Sequence, residues 1–209
     1  MLIGIVGMKR TGKDTMANLL TNHYGFNKVA FADPIKDICK ILFGWDKDFL
    51  ESDDKDRECD LGVVPRDMMK WIGTDIFQYQ IYERFPELKI KQKCMWVNAV
   101  KNQITNNKTI VSTEFIKKND MYVNDVKNIK FNGTVVSDVR FIHEAEFIKE
   151  NGGILVYIDK NPITDNLDYD LNELINNYID YTIENKDKLH IFYENIDNFY
   201  SKVIQLPYF

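Results

Sequence analysis

One short stretch carries the residue types and spacing expected of a phosphate-binding loop. GMKRTGKDT, from Gly7 to Thr15, fits the pattern G-x-x-x-x-G-K through Gly7, Gly12 and Lys13. In such a loop, glycines let successive backbone N–H groups turn towards a phosphate, and the lysine adds a full positive charge. Asp14 stands where a magnesium-binding hydroxyl is usual. Either the match is therefore accidental, or this is a variant phosphate-binding loop in which Asp14 has a different role from the usual hydroxyl.

Three cations lie close together in this loop, although the protein has a formal net charge of -5. Lys9, Arg10 and Lys13 indicate a positive potential large enough for a small anionic substrate. The alternative is a solvated basic turn. The acidic total argues against a nucleic-acid-binding protein, which needs a broad cationic surface.

Two more candidate groups follow predicted strands. Asp33 comes after a second apolar run, and Asp138 and Arg140 follow the strand-like residues 134–137. Ligands bind beyond the carboxyl ends of the strands in a parallel sheet, so we expect these groups to meet the Gly7 loop at one edge. Asp138 has two interpretations: it binds magnesium or an acceptor substrate, or it caps a helix.

Arginine is rare in this chain and lysine is abundant. The arginines are Arg10, Arg57, Arg66, Arg84 and Arg140. Where lysine supplies most of the surface charge, each arginine is a better candidate for bidentate phosphate binding. We assign Arg57, Arg66 and Arg140 to phosphate contacts, with structural salt bridges as the alternative, and Arg84 to the surface.

Length and composition indicate one globular domain. The chain has 209 residues, of which 44% are hydrophobic, enough for a single α/β domain to bury a core. We predict one domain over residues 1–209 with inserts at 46–62 and 106–132. The first insert is acidic, and we interpret residues 46–60 as exposed rather than core, where a lid or substrate flap could sit.

The cysteines and the hydropathy pattern predict a cytoplasmic protein. Cys39, Cys59 and Cys94 form no C-x-x-C pair, so neither a zinc ribbon nor a disulfide scaffold is indicated, and a reducing compartment is the simplest inference. No apolar run approaches the roughly 18 residues of a membrane span, and no basic leader precedes the first strand. The sequence is compatible with a monomer and with a homodimer.

The apolar pattern alternates between strands and helices, which predicts a parallel sheet of about five strands with helices on both faces. We predict strands over residues 2–6, 28–32, 134–138, 154–158 and 181–185, with Asp33 as the N-cap of the helix that begins at Pro34. Further helices are expected over residues 16–23, 65–76, 95–104, 141–151, 171–177 and 195–203. TIVSTEF and IKFNG, at 109–115 and 129–133, are candidate strands of an inserted hairpin.

Together these residues resemble the deoxynucleoside monophosphate kinases of phages and large DNA viruses. The similar stretches are GMKRTGKDT, FADPIKD at 31–37, DRE at 56–58, the Arg66 helix ending in GTD at 73–75, SDVRF with EAE at 137–146, and YTIEN at 181–185. They occur in the family's order and cover most of the chain except about residues 105–133. KRxGKDT and SDxR are the specific motifs, and the others are weak singly.

The resemblance implies a P-loop kinase fold and transfer of the ATP γ-phosphoryl group to a deoxynucleoside 5′-monophosphate (dNMP), with Mg²⁺ bound to ATP. Because nucleoside monophosphate kinases commonly read G-K-G-T, Thr15 becomes the candidate hydroxyl, and Asp14 can sit at the positive end of a helix. The implied ATP-phosphate residues are Gly7, Lys9, Arg10, Thr11, Gly12, Lys13, Asp14 and Thr15. The implied acceptor residues are Asp33, Lys36, Arg57, Arg66, Asp75 and Arg140, the catalytic residues Lys13, Arg10, Asp138 and Arg140, and the magnesium ligands Thr15 and Asp138.

Two features depart from the family pattern. The segment after Ile158 offers only Lys160 where related kinases carry lid arginines, so the candidate transition-state cation is Arg10, Arg57 or a residue of another element. The histidine signature before the last strand is reduced to residues 172–174, NEL. Two alternatives stay open: a phosphomevalonate-kinase-like metabolite kinase, which shares the loop and the SD-x-R strand end, and a nucleotide sensor without transferase activity.

Overall fold

The computed structural model describes residues 1–106, 110–118, 121–129, 132–160 and 169–205. Its strands are β1 (Leu2–Val6), β2 (Phe26–Val29), β3 (Ile110–Lys118), β4 (Met121–Ile129), β5 (Gly133–Val139), β6 (Ile154–Asp159) and β7 (Tyr181–Glu184). Five of them form one parallel sheet in the order β2-β5-β1-β6-β7. The predicted α/β class with a parallel sheet of about five strands is confirmed.

Helices follow the strands as parallel crossovers require. They are α1 (Lys13–Tyr24), α2 (Asp33–Phe43), α3 (Lys47–Glu51), α4 (Pro65–Lys70), α5 (Ile81–Arg84), α6 (Met95–Asn106), α7 (Ile142–Glu150), α8 (Tyr169–Asn177) and α9 (Leu189–Val203). A π-helical segment, Trp71–Gln80, joins α4 to α5 without a break, and a 3₁₀ turn spans Asp53–Asp56. Among the described residues, no helix is long and apolar enough to cross a membrane.

Apolar side chains cover both faces of the sheet. On one face, α1 and α9 pack on the strands through Met16, Leu20, Phe192, Ile196 and Phe199. On the other face, α6, α7 and α8 do so through Trp96, Val100, Phe147, Ile148 and Leu174. Strand β1 is buried on both faces, as expected for a central parallel strand. The sheet therefore provides a rigid base for the loops at its carboxyl edge.

A third cluster of buried residues corrects the prediction that residues 46–60 are exposed. Leu50 of α3 is 1% exposed and packs with Cys39, Trp45 and Ile72. The sequence does not reveal this helix because α3 is short, only one of its sides packs against the core, and most of its residues are charged. The acidic residues of the segment are on its exposed side.

Several predicted boundaries differ from the structure. Strand β2 begins earlier than predicted. The β3–β4 hairpin pairs Ile110 with Ile129, so its second strand is Met121–Ile129; residues 130 and 131 of the predicted IKFNG strand lie outside the described residues. Asp33 is the first residue of α2 and not its N-cap, and its carboxylate instead accepts a hydrogen bond from the Ala30 N–H at 2.8 Å. Helix α9 begins at Leu189, before the predicted 195.

Candidate active site

The loop between β1 and α1 has the tight backbone that its glycines predict. Gly12 has φ of 105°, in the left-handed region that favours glycine. A Cβ at this position would lie 2.7 Å from Asn185 Nδ2 and 3.0 Å from Phe192 Cε1. Conformation and space therefore both require glycine immediately before helix α1, where backbone N–H groups and the helix dipole favour an anion.

Lys13 lies over this loop and next to the end of β5. Its Nζ donates hydrogen bonds to the carbonyl oxygens of Gly7 at 2.9 Å and Met8 at 2.8 Å. Asp138 Oδ1 lies 3.8 Å from the same nitrogen. Burial lowers the pKa of Lys13, and the charge of Asp138 opposes that change. The ammonium group is thus held at the loop by weak neutral acceptors and one carboxylate.

Asp138 joins the loop lysine to Arg140. Arg140 Nε donates a hydrogen bond to Asp138 Oδ2 at 2.8 Å, and Arg140 Nη2 lies 2.6 Å from the same oxygen. The capping position of α7 is Phe141, so Asp138 does not cap that helix. Lys13, Asp138 and Arg140 therefore form a chain of alternating charge at the carboxyl edge of β1 and β5.

Glu144 is a buried carboxyl that supports this strand end. Its Oε2 accepts hydrogen bonds from the backbone N–H groups of Arg140 at 2.7 Å and Phe141 at 3.1 Å. The side chain fixes the turn that presents Arg140. Burial is the largest effect and raises the pKa of Glu144 to about 8, although both backbone hydrogen bonds act to lower it.

This buried carboxyl predicts a pH dependence of stability. Between the ordinary pKa of 4.5 and the folded value of about 8, the unfolded chain releases the Glu144 proton while the folded chain keeps it. The free energy of unfolding should therefore fall by about 1.4 kcal/mol per pH unit as pH rises through this window. The substitution Glu144→Gln would keep a side-chain oxygen to accept both hydrogen bonds, but it would not ionise.

Urea unfolding of the wild type and Glu144→Gln at pH 5, 6, 7 and 8 measures this effect. The wild type should lose stability relative to Glu144→Gln as pH rises. Glu150→Gln, at an exposed position of the same helix, is the matched control and should show no such trend. Parallel stability curves for the wild type and Glu144→Gln would refute the assignment.

A cavity of about 430 Å³ adjoins the loop. One side consists of Arg10 and residues 12–15, and the other of Lys160, Asn185, Asp187 and Leu189. Asn185 Nδ2 donates to the Thr11 carbonyl oxygen at 2.7 Å, and Lys160 Nζ donates to the Arg10 carbonyl oxygen at 3.1 Å. The residues that follow β6 and β7 were not predicted as site residues. Their position at strand ends was the available signal.

Arg10 combines an unusual backbone conformation with an exposed side chain. Its φ of 65° is rare for a residue other than glycine. The side chain makes no hydrogen bond or ion pair with the residues that the structure describes. Strain of this kind concentrates at ligand-binding positions. The guanidinium group is therefore available to an anion in the adjoining cavity.

The other loop residues have distinct environments. Lys9 is exposed, while Thr11 is buried and its hydroxyl donates to the Met8 carbonyl oxygen at 3.0 Å. Asp14 pairs with Lys28 Nζ at 2.8 Å on the outer side of α1, with its side chain 80% exposed. Thr15 lines the cavity and forms no side-chain hydrogen bond within the described ranges. Its hydroxyl, rather than the Asp14 carboxylate, is thus available to a ligand.

The predicted acceptor residues separate into two groups. Asp33 and Lys36 belong to an ion network with Lys47 and Glu51, in which Lys36 Nζ donates to Glu51 Oε1 at 2.8 Å. Burial lowers the pKa of Lys36, but hydrogen bonds and charge from Glu51 and Asp33 raise it by more. No contact joins this network directly to Lys13 or Arg140 in the described part of the chain.

Arg66 lies nearer the strand ends. It forms a two-point ion pair with Asp56. The hydrogen bond from Arg66 is the largest effect on the pKa of Asp56 and lowers it, and the charge of Lys9 lowers it by a smaller amount. Burial lowers the pKa of Arg140, Asp138 raises it by more, and the charge of Arg66 opposes that rise. The charge of Arg66 therefore acts on Arg140, and its partner Asp56 lies within range of the charge of Lys9 in the loop.

Arg57 and Asp75 make no contact with Lys13, Asp138 or Arg140 in the described part of the chain. Arg57 pairs with Asp54 at 3.4 Å and its side chain is 77% exposed. Asp75 is exposed on the π-helical segment and has no polar partner among the described residues. Their predicted roles in acceptor binding stay predictions.

The donor groups fit magnesium bound mainly through phosphates. Among the described residues, no group of three or more His, Cys, Asp or Glu side chains is placed to hold a metal ion. Mg²⁺ usually takes only one or two protein oxygens and completes its shell with water and substrate phosphates. The Thr15 hydroxyl and the Asp138 carboxylate are donors of the right chemistry for this arrangement.

Comparisons with known proteins agree with the motifs. The sequence model of the family "Deoxynucleotide monophosphate kinase" matches residues 1–122. A protein of Acanthamoeba polyphaga mimivirus, provisionally named a deoxynucleotide monophosphate kinase, is 30% identical over 207 residues, which cover 97% of this chain and 94% of that protein.

Among solved structures, the dephospho-CoA kinase from Campylobacter jejuni aligns at 15% identity with a TM-score of 0.46, over 97% of this chain and 96% of that one. The shikimate kinase from Bacteroides thetaiotaomicron aligns at 10% identity with a TM-score of 0.42, over 99% of each chain. No functional statement about this chain follows from likenesses at that level. The family match over more than half of the sequence and the viral relative instead establish that the chain belongs to the deoxynucleotide monophosphate kinase family.

Proposed function

We propose that this nucleotide kinase transfers the γ-phosphoryl group of ATP to a dNMP, giving ADP and a deoxynucleoside diphosphate. The observation that carries the proposal is the charge chain Lys13–Asp138–Arg140 at the edge of the sheet, directly beside the phosphate loop. Phosphoryl transfer depends mainly on positioning and on charge stabilisation of the transferred group. Two cations held in place by a shared carboxylate, beside a loop of backbone donors, would supply both.

On the ATP side, the loop would hold the phosphates by its backbone. Residues 7–15 supply N–H groups, and the N-terminus of α1 adds a positive potential. Lys13 would exchange its two carbonyl partners for β- and γ-phosphate oxygens, which are stronger acceptors because they are charged. Arg10, whose guanidinium has no partner among the described residues, would neutralise charge on the transferred group.

On the acceptor side, Arg66 and Arg140 would bind the 5′-phosphate. Their proximity concentrates positive charge where an anionic acceptor must approach the ATP γ-phosphate. Four further residues stay proposed acceptor contacts, although none of them directly contacts Lys13 or Arg140 in the described part of the chain: Asp33, Lys36, Arg57 and Asp75. Asp138 would orient Arg140 while keeping the site from excess positive charge.

Magnesium would be held by the Thr15 hydroxyl and the Asp138 carboxylate, directly or through water. When bound, the ion neutralises phosphate charge and orients the triphosphate. Since ATP is required and the cysteines are free thiols, we propose that the enzyme works in the cytoplasm, and in the host cytoplasm if it is viral.

A coupled assay of ADP release tests the proposal. The wild type is incubated with ATP, Mg²⁺ and each of dAMP, dGMP, dCMP and dTMP, the corresponding ribonucleotides, and mevalonate 5-phosphate. We expect ADP release above the ATP-only control with at least one dNMP. Turnover only with mevalonate 5-phosphate would favour a metabolite kinase. ATP binding without turnover on any acceptor would favour a nucleotide sensor.

A further inference from the structure

Gln78 is a buried polar side chain in the π-helical segment Trp71–Gln80, and it is 8% exposed. Its amide makes no hydrogen bond with any residue that the structure describes. Burying an unpaired amide is unfavourable, and native proteins seldom leave one without a use. π-helical turns also occur frequently at functional sites. The Gln78 amide is therefore a candidate for binding a ligand.

Spacing along the helix shows which way this side chain lies. Positions 67, 71, 75 and 79, four residues apart, are all exposed, and positions 69, 73 and 77 face the core. Positions 66, 70, 74 and 78 form the row between these two faces. Along that row the residues change from exposed Arg66 and Lys70 to half-buried Thr74 and buried Gln78.

This row has a charged end and a neutral end. Arg66 and Lys70 suit a phosphate, and the charge of Arg66 acts on Arg140. Gln78 both donates and accepts hydrogen bonds, which suits the edge of a nucleic-acid base. A continuous α-helix would rise about 18 Å from Arg66 to Gln78, and the wider π-helical turns that begin at Trp71 shorten that distance. A mononucleotide together with the long Arg66 side chain has the length to bridge it.

We propose that the Gln78 side-chain amide hydrogen-bonds the base of the acceptor nucleotide whose 5′-phosphate binds at Arg66 and Arg140. The inference rests on the proposed function and adds a base-recognition residue to it. The amide oxygen accepts from a base N–H, and the amide nitrogen donates to a base oxygen or ring nitrogen. Thr74, half-buried in the same row, lies between the two ends.

Gln78→Met tests the inference, because methionine keeps the length of the side chain and removes the amide. For the preferred dNMP, kcat/KM should fall about 10-fold or more, mainly through KM, because one or two hydrogen bonds are lost. The ratio of kcat/KM between the best and the worst base should shrink. The KM for ATP should stay unchanged. Gln80→Met, at an exposed position of the same segment, is the matched control and should behave as the wild type.

Thermal unfolding separates recognition from a structural role. Without nucleotide, Gln78→Met should melt at the wild-type temperature or above, because it removes a buried amide that lacks a hydrogen bond within the described ranges. The increase in Tm that saturating dNMP gives the wild type should be reduced in the variant. A lower Tm with equal losses for all four bases, or unchanged kcat/KM and base ranking, would overturn the inference. A wild type inactive on every dNMP would instead refute the proposed function.

Discussion

Lys13→Met is expected to lower kcat about 1,000-fold or more, with little change in thermal stability. The ammonium group of Lys13 lies over the loop between β1 and α1, and its partners there are two neutral carbonyl oxygens and one carboxylate 3.8 Å away. A triphosphate offers charged oxygens that bind this cation more strongly as charge develops in the transition state. Methionine keeps the aliphatic stem and removes the charge.

Steady-state kinetics with the best dNMP and saturating ATP measure this change. Lys101→Met, on the exposed surface of α6, is the matched control and should retain wild-type kcat. Circular dichroism melting establishes that the variant is folded. Activity within about 10-fold of the wild type in a folded Lys13→Met protein would show that the ATP phosphates bind elsewhere.

Asp138→Asn is expected to lower kcat/KM about 100-fold. The substitution preserves side-chain size but leaves Lys13 and Arg140 without their shared carboxylate. Two consequences follow: Arg140 loses a charged partner that fixes its orientation, and the pKa of Lys13 falls further because Asp138 is the main effect that opposes burial. The loss of a magnesium donor would add to both.

Kinetics at varied pH and varied Mg²⁺ resolve these contributions. The pH range of activity should narrow on the alkaline side as Lys13 loses its proton more readily, and higher Mg²⁺ should restore part of the activity if the carboxylate holds the ion. Asp37→Asn, on an exposed turn of α2, is the control. Wild-type kinetics in Asp138→Asn would mean that the carboxylate has only a structural role.

The phosphate loop was predictable from the sequence because its chemistry is local. Gly12 needs a left-handed backbone immediately before a helix, and this requirement shows in the residue types of a few consecutive positions. The strands that precede the loop and carry Asp138 were equally predictable, since buried parallel strands give short apolar runs. Family stretches in the expected order then indicated the kinase, and the comparisons confirm that family.

The differences between prediction and structure at the site concern capping and contacts, and the choice of site residues stays a prediction. Asp33 was expected to cap α2, but its carboxylate instead accepts a hydrogen bond from the backbone N–H of Ala30. Aspartate can hydrogen-bond a nearby backbone N–H in more than one way, so the sequence alone does not decide between these arrangements. Asp14 lies in the first turn of α1, as the family resemblance implied, but its ion pair with Lys28 of the neighbouring strand β2 was not predicted. Neither partner can be deduced from spacing alone.

By itself, the sequence determined the α/β class and the order of strand β1, the glycine loop from Gly7 to Thr15 and helix α1, which is the order expected of a phosphate site. Only the tertiary structure decided that Asn185 would support the Thr11 carbonyl, that Asp138 would stand between Lys13 and Arg140, and that Gln78 would be buried with no hydrogen bond to the described part of the chain. The physical reason is that backbone conformation is set by neighbouring residues, whereas these contacts depend on strand order and helix packing, which bring together residues far apart in the chain.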